Sequence, residues 1–490
     1  MFVVIDTLRA DYLGCYGGNA KTPNLDKLSE RSIKFKNAFS ASDFTAPSFL
    51  SIFSGLYPSE HGMINWSKKS KTLPLLENLK SNGYKVQGFT NFKFIKQLLQ
   101  SSMKIDFIGE DFGKYWDINQ HLQVTERTIR YLEENKNNNF FLFYHHSAPH
   151  APYRFPKPEL NKILKDKEFT KYYSNLMSDE LIQAIFPQIK NKEINQIFKN
   201  DQEAIKQSSL IAKVTTGMIH LNQDQAELIK FLYKKEVEWT DNLFGKILNK
   251  LEELKLINHT IICFLADHGE LLYEQGKFGH ANDFMLNEVL NIPCLLYIPS
   301  LKENRIVENN ISHVNILPTV LEIANLKLDE RSNVRSMWNE ISKNQPIKPK
   351  PVYSEGNFRV LVIKDNIKYI TDSKRKTQII GIKDFINNLI HMIKTNTFSI
   401  YTFKNNLMLF LVPFFKRFMG IPKEEMYKII IKNNIKIQVP IKNKTIKKEM
   451  SKLIDDYYSM KRSDLTEDLT EEELEIIKVR LEALGYLDKK

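Results

Sequence analysis

Short apolar runs that end in polar residues recur along the chain. "FVVID" (2–6) is a continuous apolar stretch closed by a carboxylate, as in a central parallel strand buried on both faces. "NNNFFLFYHHSAPH" (137–150) and "HTIICFLADHGE" (259–270) repeat the design, a β-branched or aromatic run followed by polar residues at its C-terminal end. "NIPCLLYIPS" (291–300) reads as a fourth strand. Between these runs, "TPNLDKLSERS", "LPLLENLKSNG" and residues 226–255 carry helical periodicity. Strands alternating with helices predict an α/β protein with a doubly wound, mostly parallel sheet flanked by helices. Ligands of such sheets bind beyond the C-terminal ends of the strands.

Residues 155 to about 225 read as a Lys/Gln/Asn-rich helical insertion, and "ISHVNILPTVLEIANL" (311–326) as an amphipathic helix with proline in its first turns. After about residue 345 the pattern changes. "PVYSEG", "FRVLVIKDNIKYITD" and the stretch around Ile379 predict short antiparallel strands, with a hairpin turn at "KDN". A second helical insertion is expected over 382 to about 450. "DLTEEELEIIKVRLEALGYLD" is expected to close the chain as a helix with a Thr cap and an acidic first turn. The expected organisation is a first domain over 1–345 and a smaller C-terminal antiparallel α+β subdomain over 346–490.

Composition narrows the function classes. The 490 residues are 42% hydrophobic and 26% charged, the balance of an ordinary globular protein. The formal charge of +12 is spread along the chain, with no zinc-finger, RNP or KH signature, so a nucleic-acid partner is not expected. An anionic sulfated or phosphorylated substrate, possibly a glycan, suits the same charge. Cys15, Cys263 and Cys294 form no C-x-x-C, and two of them lie in apolar runs, so buried free thiols are expected. No signal peptide or transmembrane segment is visible. "NNLMLFLVPFF" (405–415) is too short and Pro-interrupted to span a bilayer, which points to the cytoplasm. The chain opens directly on its first core strand, which leaves room for an upstream start carrying an export signal.

The polar residues at the strand ends supply candidate chemistry. Asp6 ends one strand, and Asp267-His268-Gly269-Glu270 ends another. A carboxylate pair with an imidazole suits Ca²⁺, Mg²⁺, Mn²⁺ or Zn²⁺. Thr45 stands just before "APSFLSIFSG", which reads as a helix with proline in its first turn. By position alone, Thr45 is an N-cap or a hydroxyl held at the positive end of a helix dipole.

The stretch "SASDFTAPSFLSIFSGLYPSEHG" (40–62) resembles the sulfatase signature, a Cys or Ser opening a C/S-x-P-S-R run, then an apolar helix and a G-x-x-P-x-x-H-G ending. Thr45 stands at the Cys position and Phe49 at the Arg position. "VVIDTLRADYLGCYGGNAKTPNLDKL", "FFLFYHHSAPHAPY", "FLADHGELLYEQGKFGHANDFMLNEVLNIPCLLYIP" and "SHVNILPTVLEIANL" resemble further blocks of the family in the same order. The chain is thus similar to the sulfatase family of the alkaline-phosphatase superfamily.

The resemblance implies one divalent metal ion held by Asp6, Asp267 and His268. The family usually holds Ca²⁺ with Asp-Asp and Asp-Asn pairs. Here the pairs are Asp6-Thr7 and Asp267-His268, and the nitrogen donor favours Mn or Zn over Ca. It implies that His150 and His280 line the anion pocket as catalytic residues. Lys277 and His145 are implied as substrate-binding residues, and Asn91 stands where the family carries a Lys-x-His pair. His146 is expected to end its strand, Glu270 to support the metal pair, and Arg9 and Asp11 to lock a loop as an ion pair. In the family, Cys or Ser becomes formylglycine. Thr cannot, so Thr45 is expected to act as a hydroxyl nucleophile, most naturally on phosphorus. The leading expectation is a metal-dependent hydrolase of sulfate or phosphate esters. The alternatives are a transferase of phospho-groups onto surface glycans or lipids, and an inactive anion-binding protein.

Overall fold

The computed structural model describes residues 1–374, 422–460 and 465–468, apart from 65–67, 72, 109–118, 174–175, 177–178, 190–209, 212, 216–218, 281–282, 302–303, 327–335 and 433–434. Its centre is a nine-stranded sheet. From one edge, Lys104–Phe107, Lys85–Thr90, Phe140–His146, Phe2–Ile5 and Ile262–Ala266 lie side by side in parallel. Cys294–Tyr297 then runs antiparallel, between Ile262–Ala266 and Ile33–Phe39. Arg305–Ser312 pairs parallel to Ile33–Phe39, and the two-residue strand Asn291–Ile292 pairs antiparallel to it.

Register assigns the faces, because paired residues of neighbouring strands point to the same side. Phe2 pairs with Phe143 and Cys263, and Val3 with Tyr144 and Phe264. On the Phe2 face lies the helix Thr45–Ser54, whose Phe53 ring sits 6.0 Å from Phe2 and 5.0 Å from Phe143. On the Val3 face, Phe244 of the long helix Gln223–Glu253 meets Phe264 at 5.1 Å. Thr125 of the helix Asn119–Glu134 hydrogen-bonds the Tyr144 hydroxyl at 2.8 Å on that same face. With helices on both sides, Phe2–Ile5 is wholly buried, which is why it reads as an unbroken apolar run.

A second sheet of five antiparallel strands begins at Val352. Its strands alternate by face: Val360, Val362 and Tyr369 pack on Met450, Ile454 and Tyr457 of the helix Lys444–Ser459. Leu361, Ile363 and Ile370 pack instead on Phe39, Met285 and Leu290. The hairpin expected at "KDN" joins Arg359–Lys364 to Ile367–Asp372, with Asp365 in the left-handed region at φ 54°.

The expectation of a helical stretch over 382–450 is corrected where it can be seen: Glu424–Lys432 and Ile435–Pro440 form a β-hairpin. Isoleucine recurs through it, with Tyr427 and Val439, and β-branched and aromatic residues suit a pleated surface better than a helix. The expected helix at 311–326 also starts later, since Ile311 and Ser312 end a strand and the helix proper is Ile316–Ile323. Within 155–225, Lys157–Ile163, Lys167–Tyr173 and Glu180–Ile185 are helices, as expected. The strand expected at Ile379, the apolar stretch 405–415 and the closing helix lie outside the described residues. Cys15, Cys263 and Cys294 are free, as expected. Among the described residues, no helix is long and apolar enough to cross a membrane.

Candidate active site

The ends of four adjacent parallel strands deliver the candidate residues to one edge. Ile5 pairs with Ala266, so Asp6 and Asp267 leave the sheet side by side, with His268 next along the chain. Asp6, Asp267 and His268 are buried, and each offers a ligand atom within 4.8 Å of the others. Asp267 Oδ1 accepts from the backbone N–H groups of His268 at 2.8 Å and Thr7 at 3.2 Å. Asp267 Oδ2 and Asp6 Oδ1 are buried with no hydrogen-bond partner among the described residues. Burial, then the charges of Asp267 and Glu270, raise the Asp6 carboxyl well above its ordinary range, and burial raises Asp267 as well. Unpartnered buried carboxylate oxygens beside an imidazole nitrogen are a donor set that a divalent cation satisfies. The residues present therefore fit the metal implied by the sequence.

Thr7, where the family pattern carries a second Asp, has φ 55°. A β-branched residue in the left-handed region is strained. Tyr233 holds it there, donating its hydroxyl to Thr7 O at 2.7 Å and accepting from the Arg9 N–H at 2.8 Å. Arg9 closes the loop as the sequence predicts, on Asp11 at 2.7 Å and additionally on Glu274 at 2.6 Å.

Thr45 is the first residue of its helix, and the extended residue before it, Phe44, is the N-cap. The N-cap alternative for Thr45 is therefore set aside. Its Oγ1 instead lies 3.0 Å from His268 Nε2. His268 Nδ1 lies 2.9 Å from Gly269 O, an atom that can only accept, so the ring proton is assigned to Nδ1 and the Nε2 lone pair faces Thr45. The helix is fastened to the same strand end: Ser48 Oγ donates to Asp267 O at 2.7 Å. At its far end, Ser51 Oγ meets His61 Nε2 at 3.0 Å, and Gly55 at φ 70° closes the last turn, a conformation that suits glycine. The G-x-x-P-x-x-H-G ending thus anchors the helix that carries Thr45. From the second sheet, Glu355 O accepts from Ser42 Oγ at 2.7 Å, holding the loop that leads into Thr45.

His150, Glu270 and His280 form a second group whose ligand atoms also lie within 4.8 Å of one another. A two-residue ladder produces it. Leu271 pairs with Gly279 and Leu272 with Phe278, which brings Glu270 opposite His280, and Glu270 Oε1 lies 2.9 Å from His280 Nδ1. The His280 ring is 4.4 Å from that of His268 and 5.1 Å from that of His150, so the two groups adjoin. Burial lowers His150, His268 and His280 each to about 4 and raises Glu270 to about 7. Burial thus keeps these imidazoles neutral, and an anion bound against His150 or His280 would draw a proton onto that ring.

The remaining candidates are placed as follows. Asn91 grips Ser147, donating to its Oγ and accepting from its N–H, both at 3.1 Å, and so fixes the loop that carries His150. His145 is fully buried, with Nδ1 2.7 Å from Thr90 Oγ1 and its ring edge-on to Phe49 at 5.0 Å. Phe49, standing for the family Arg, packs on that histidine. Lys277 Nζ lies over the Phe284 ring, 4.6 Å from its centroid, and makes no described contact with either group. Glu270 is the residue that sequence reasoning undervalued. It faces His280 across the ladder, and the short "ELLYEQGKFGH" run that doubles back between them was the available signal.

The family described as Sulfatase matches residues 1–326. Iduronate 2-sulfatase of Mus musculus is 24% identical over 414 residues, covering 70% of this chain and 71% of that protein. A solved structure in complex with its substrate D-glucosamine-2-N,6-O-disulfate aligns with a TM-score of 0.58 at 17% identity, over 83% of this chain and 98% of that one. Phosphonate monoester hydrolase of Agrobacterium radiobacter aligns with a TM-score of 0.55 at 15% identity, over 76% of this chain and 86% of that one.

Proposed function

The chain belongs to the sulfatase family of hydrolases, and we propose that within it this protein is a metal-dependent hydrolase of phosphorus esters, with Thr45 as nucleophile. The observation that carries the reading is Thr45 Oγ1 held 3.0 Å from His268 Nε2, beside two buried carboxylates with unpartnered oxygens. Asp6, Asp267 and His268 would hold the ion, which when bound supplies Lewis acidity at the hydroxyl and at the ester oxygens.

The residues divide the remaining work. The His268 Nδ1–Gly269 hydrogen bond fixes the imidazole, and the Ser48–Asp267 bond fixes the helix, so Oγ1 is aimed without further ordering. Oγ1 gives up its proton to solvent as it attacks phosphorus, and the bond to the leaving oxygen breaks. A substrate-bound imidazolium at His150 or His280 gives that oxygen its proton. Glu270, hydrogen-bonded to His280 and raised to about 7, can return a proton to that ring. Water then displaces phosphorus from Thr45 Oγ1, regenerating the hydroxyl. A formylglycine sulfatase releases sulfate by collapse of a hemiacetal, a path closed to Thr45, whose Oγ1 sits on a methyl-bearing carbon. The compared proteins, an iduronate 2-sulfatase and one in complex with a glucosamine disulfate, support an ester borne on a sugar.

The test is turnover of a chromogenic phosphodiester, phosphonate monoester and aryl sulfate, with Mn²⁺ or Zn²⁺ added. The phosphorus esters are expected to be the better substrates, and Thr45→Ala to lower their kcat/KM by about 10³-fold or more. Aryl sulfate turnover that survives Thr45→Ala would refute the assignment.

A further inference from the structure

We propose, resting on Thr45 as the nucleophile, that Glu355, Tyr457 and Tyr458 are positioning residues through which the helix Lys444–Ser459 aims its hydroxyl. The loop 40–44 that leads into Thr45 is neither helix nor strand, so its shape comes from what grips it. Glu355, the last residue of the strand Val352–Glu355, supplies two grips from its backbone. Its N–H donates to Ala41 O at 2.9 Å, and its carbonyl accepts from Ser42 Oγ at 2.7 Å. Gly356 follows so close to the loop that a Cβ there would stand 2.9 Å from Asp43 Oδ1.

The strand end is held in turn by the Glu355 side chain. That carboxylate is buried, and a buried carboxylate must be met by donors. Tyr457 Oη donates to Oε2 at 2.9 Å, and Tyr458 Oη donates to Oε1 at 3.0 Å. Ser373 Oγ lies 3.3 Å from Oε1 and 2.9 Å from Tyr458 Oη. Tyr457 also reaches the far end of the nucleophile helix. Its Oη accepts from the Ser59 N–H at 3.3 Å, and its ring lies edge-on to Tyr57 at 5.7 Å. One phenol thus braces the chain both before Thr45 and after Gly55. A misplacement of about 1 Å between reacting atoms costs up to about 10²-fold in rate. His150 is set instead by Asn91 and Ser147, and His280 by the ladder of Leu271–Leu272 with Phe278–Gly279. Loosening the brace should therefore slow the chemical step and leave substrate binding intact.

Full-length wild type, Glu355→Gln and Tyr457→Phe, all loaded with metal, are mixed with a slow phosphorus ester and quenched in acid within one turnover. The Thr45 peptide is then quantified by mass spectrometry. Glu355→Gln keeps the side-chain shape but exchanges one acceptor oxygen for a donor, and Tyr457→Phe keeps the ring and removes the hydroxyl. Each variant is expected to form the Thr45 adduct about 10-fold more slowly at saturating ester, with half-saturation within about twofold of wild type. Variants that melt lower yet form the adduct as fast as wild type would show a merely structural role, overturning the positioning roles while Thr45 stands. Half-saturation that rises at an unchanged maximal rate overturns them as well. Wild type that turns over with no adduct on Thr45 overturns the nucleophile, and the positioning roles with it.

Discussion

Replacing Asp6 by asparagine should affect stability in opposite directions with and without metal. The side chain is buried, and Oδ1 has no partner among the described residues. Its carboxyl is raised well above the ordinary 3.8 by burial and by Asp267 and Glu270. A group whose folded pKa is raised gives its full stability below pH 3.8 and loses it as pH rises through the folded value. At neutral pH in chelator, wild type therefore carries a penalty of about 1–3 kcal/mol for a buried carboxylate close to Asp267 and Glu270, whose charge Asp6→Asn removes. With unfolding entropy of about 2.1 cal/mol/K per residue, 490 residues give about 1 kcal/mol per degree, so the variant should melt about 1–3 °C higher in chelator. At a hundredfold excess over Kd, one bound ion stabilises by about 2.7 kcal/mol, or about 3 °C on the same scale, and the variant should lose that gain. Thermal melts of both proteins at pH 7.5, in EDTA and in Zn²⁺ or Mn²⁺, read both arms. A variant that melts lower than wild type in EDTA and gains as much from metal would show that Asp6 is a structural residue and not a ligand.

Two further outcomes follow from buried polar groups. His313 accepts from the Ala41 N–H at 2.9 Å and is lowered to about 3 by burial and by His268. Its depressed folded pKa gives full stability above pH 6.5 that is lost as pH falls toward 3, about 2 kcal/mol of it by pH 5. Urea unfolding at pH 7.5 and 5.0 should therefore show His313→Gln gaining about 2 kcal/mol on wild type over that interval, and parallel losses would contradict the assignment. Arg9→Met strips the partner from Asp11 and Glu274 and should cost about 1.5–3 kcal/mol in urea unfolding, with unchanged zinc content. A cost below 0.5 kcal/mol, the scale of an ordinary surface change, would show the pair to be incidental.

The central strands and the metal group were legible because both depend on local pattern. Unbroken apolar runs mark strands covered on both faces, and their last polar residues must emerge at one sheet edge, so Asp6, Asp267 and His268 converge. Thr45 was legible only through the motif around it, since a threonine before an apolar helix is equally a cap. The distinction lies in Oγ1 turning to His268, a contact 223 residues distant in sequence. Glu270 was undervalued because its role depends on the register of a two-residue ladder, which is too short to leave a periodic signal. Lys277 resembled a pocket cation by spacing, yet in the structure its ammonium rests on Phe284. In 424–440, Lys and Asn interleaved with Ile fit either helix or strand locally, and pairing with Ile367–Asp372 selects the strand. The strand that shares a sheet with a distant segment gains packing that local propensity does not report.

The most direct test is to mix enzyme, metal and a slow phosphorus ester, quench in acid within one turnover and map the peptides by mass spectrometry. The account predicts a phosphorus adduct on the Thr45 side chain that appears before product is released and decays as water attacks. Rapid turnover with Thr45 never modified, or an adduct on another residue that persists in Thr45→Ala, would contradict it.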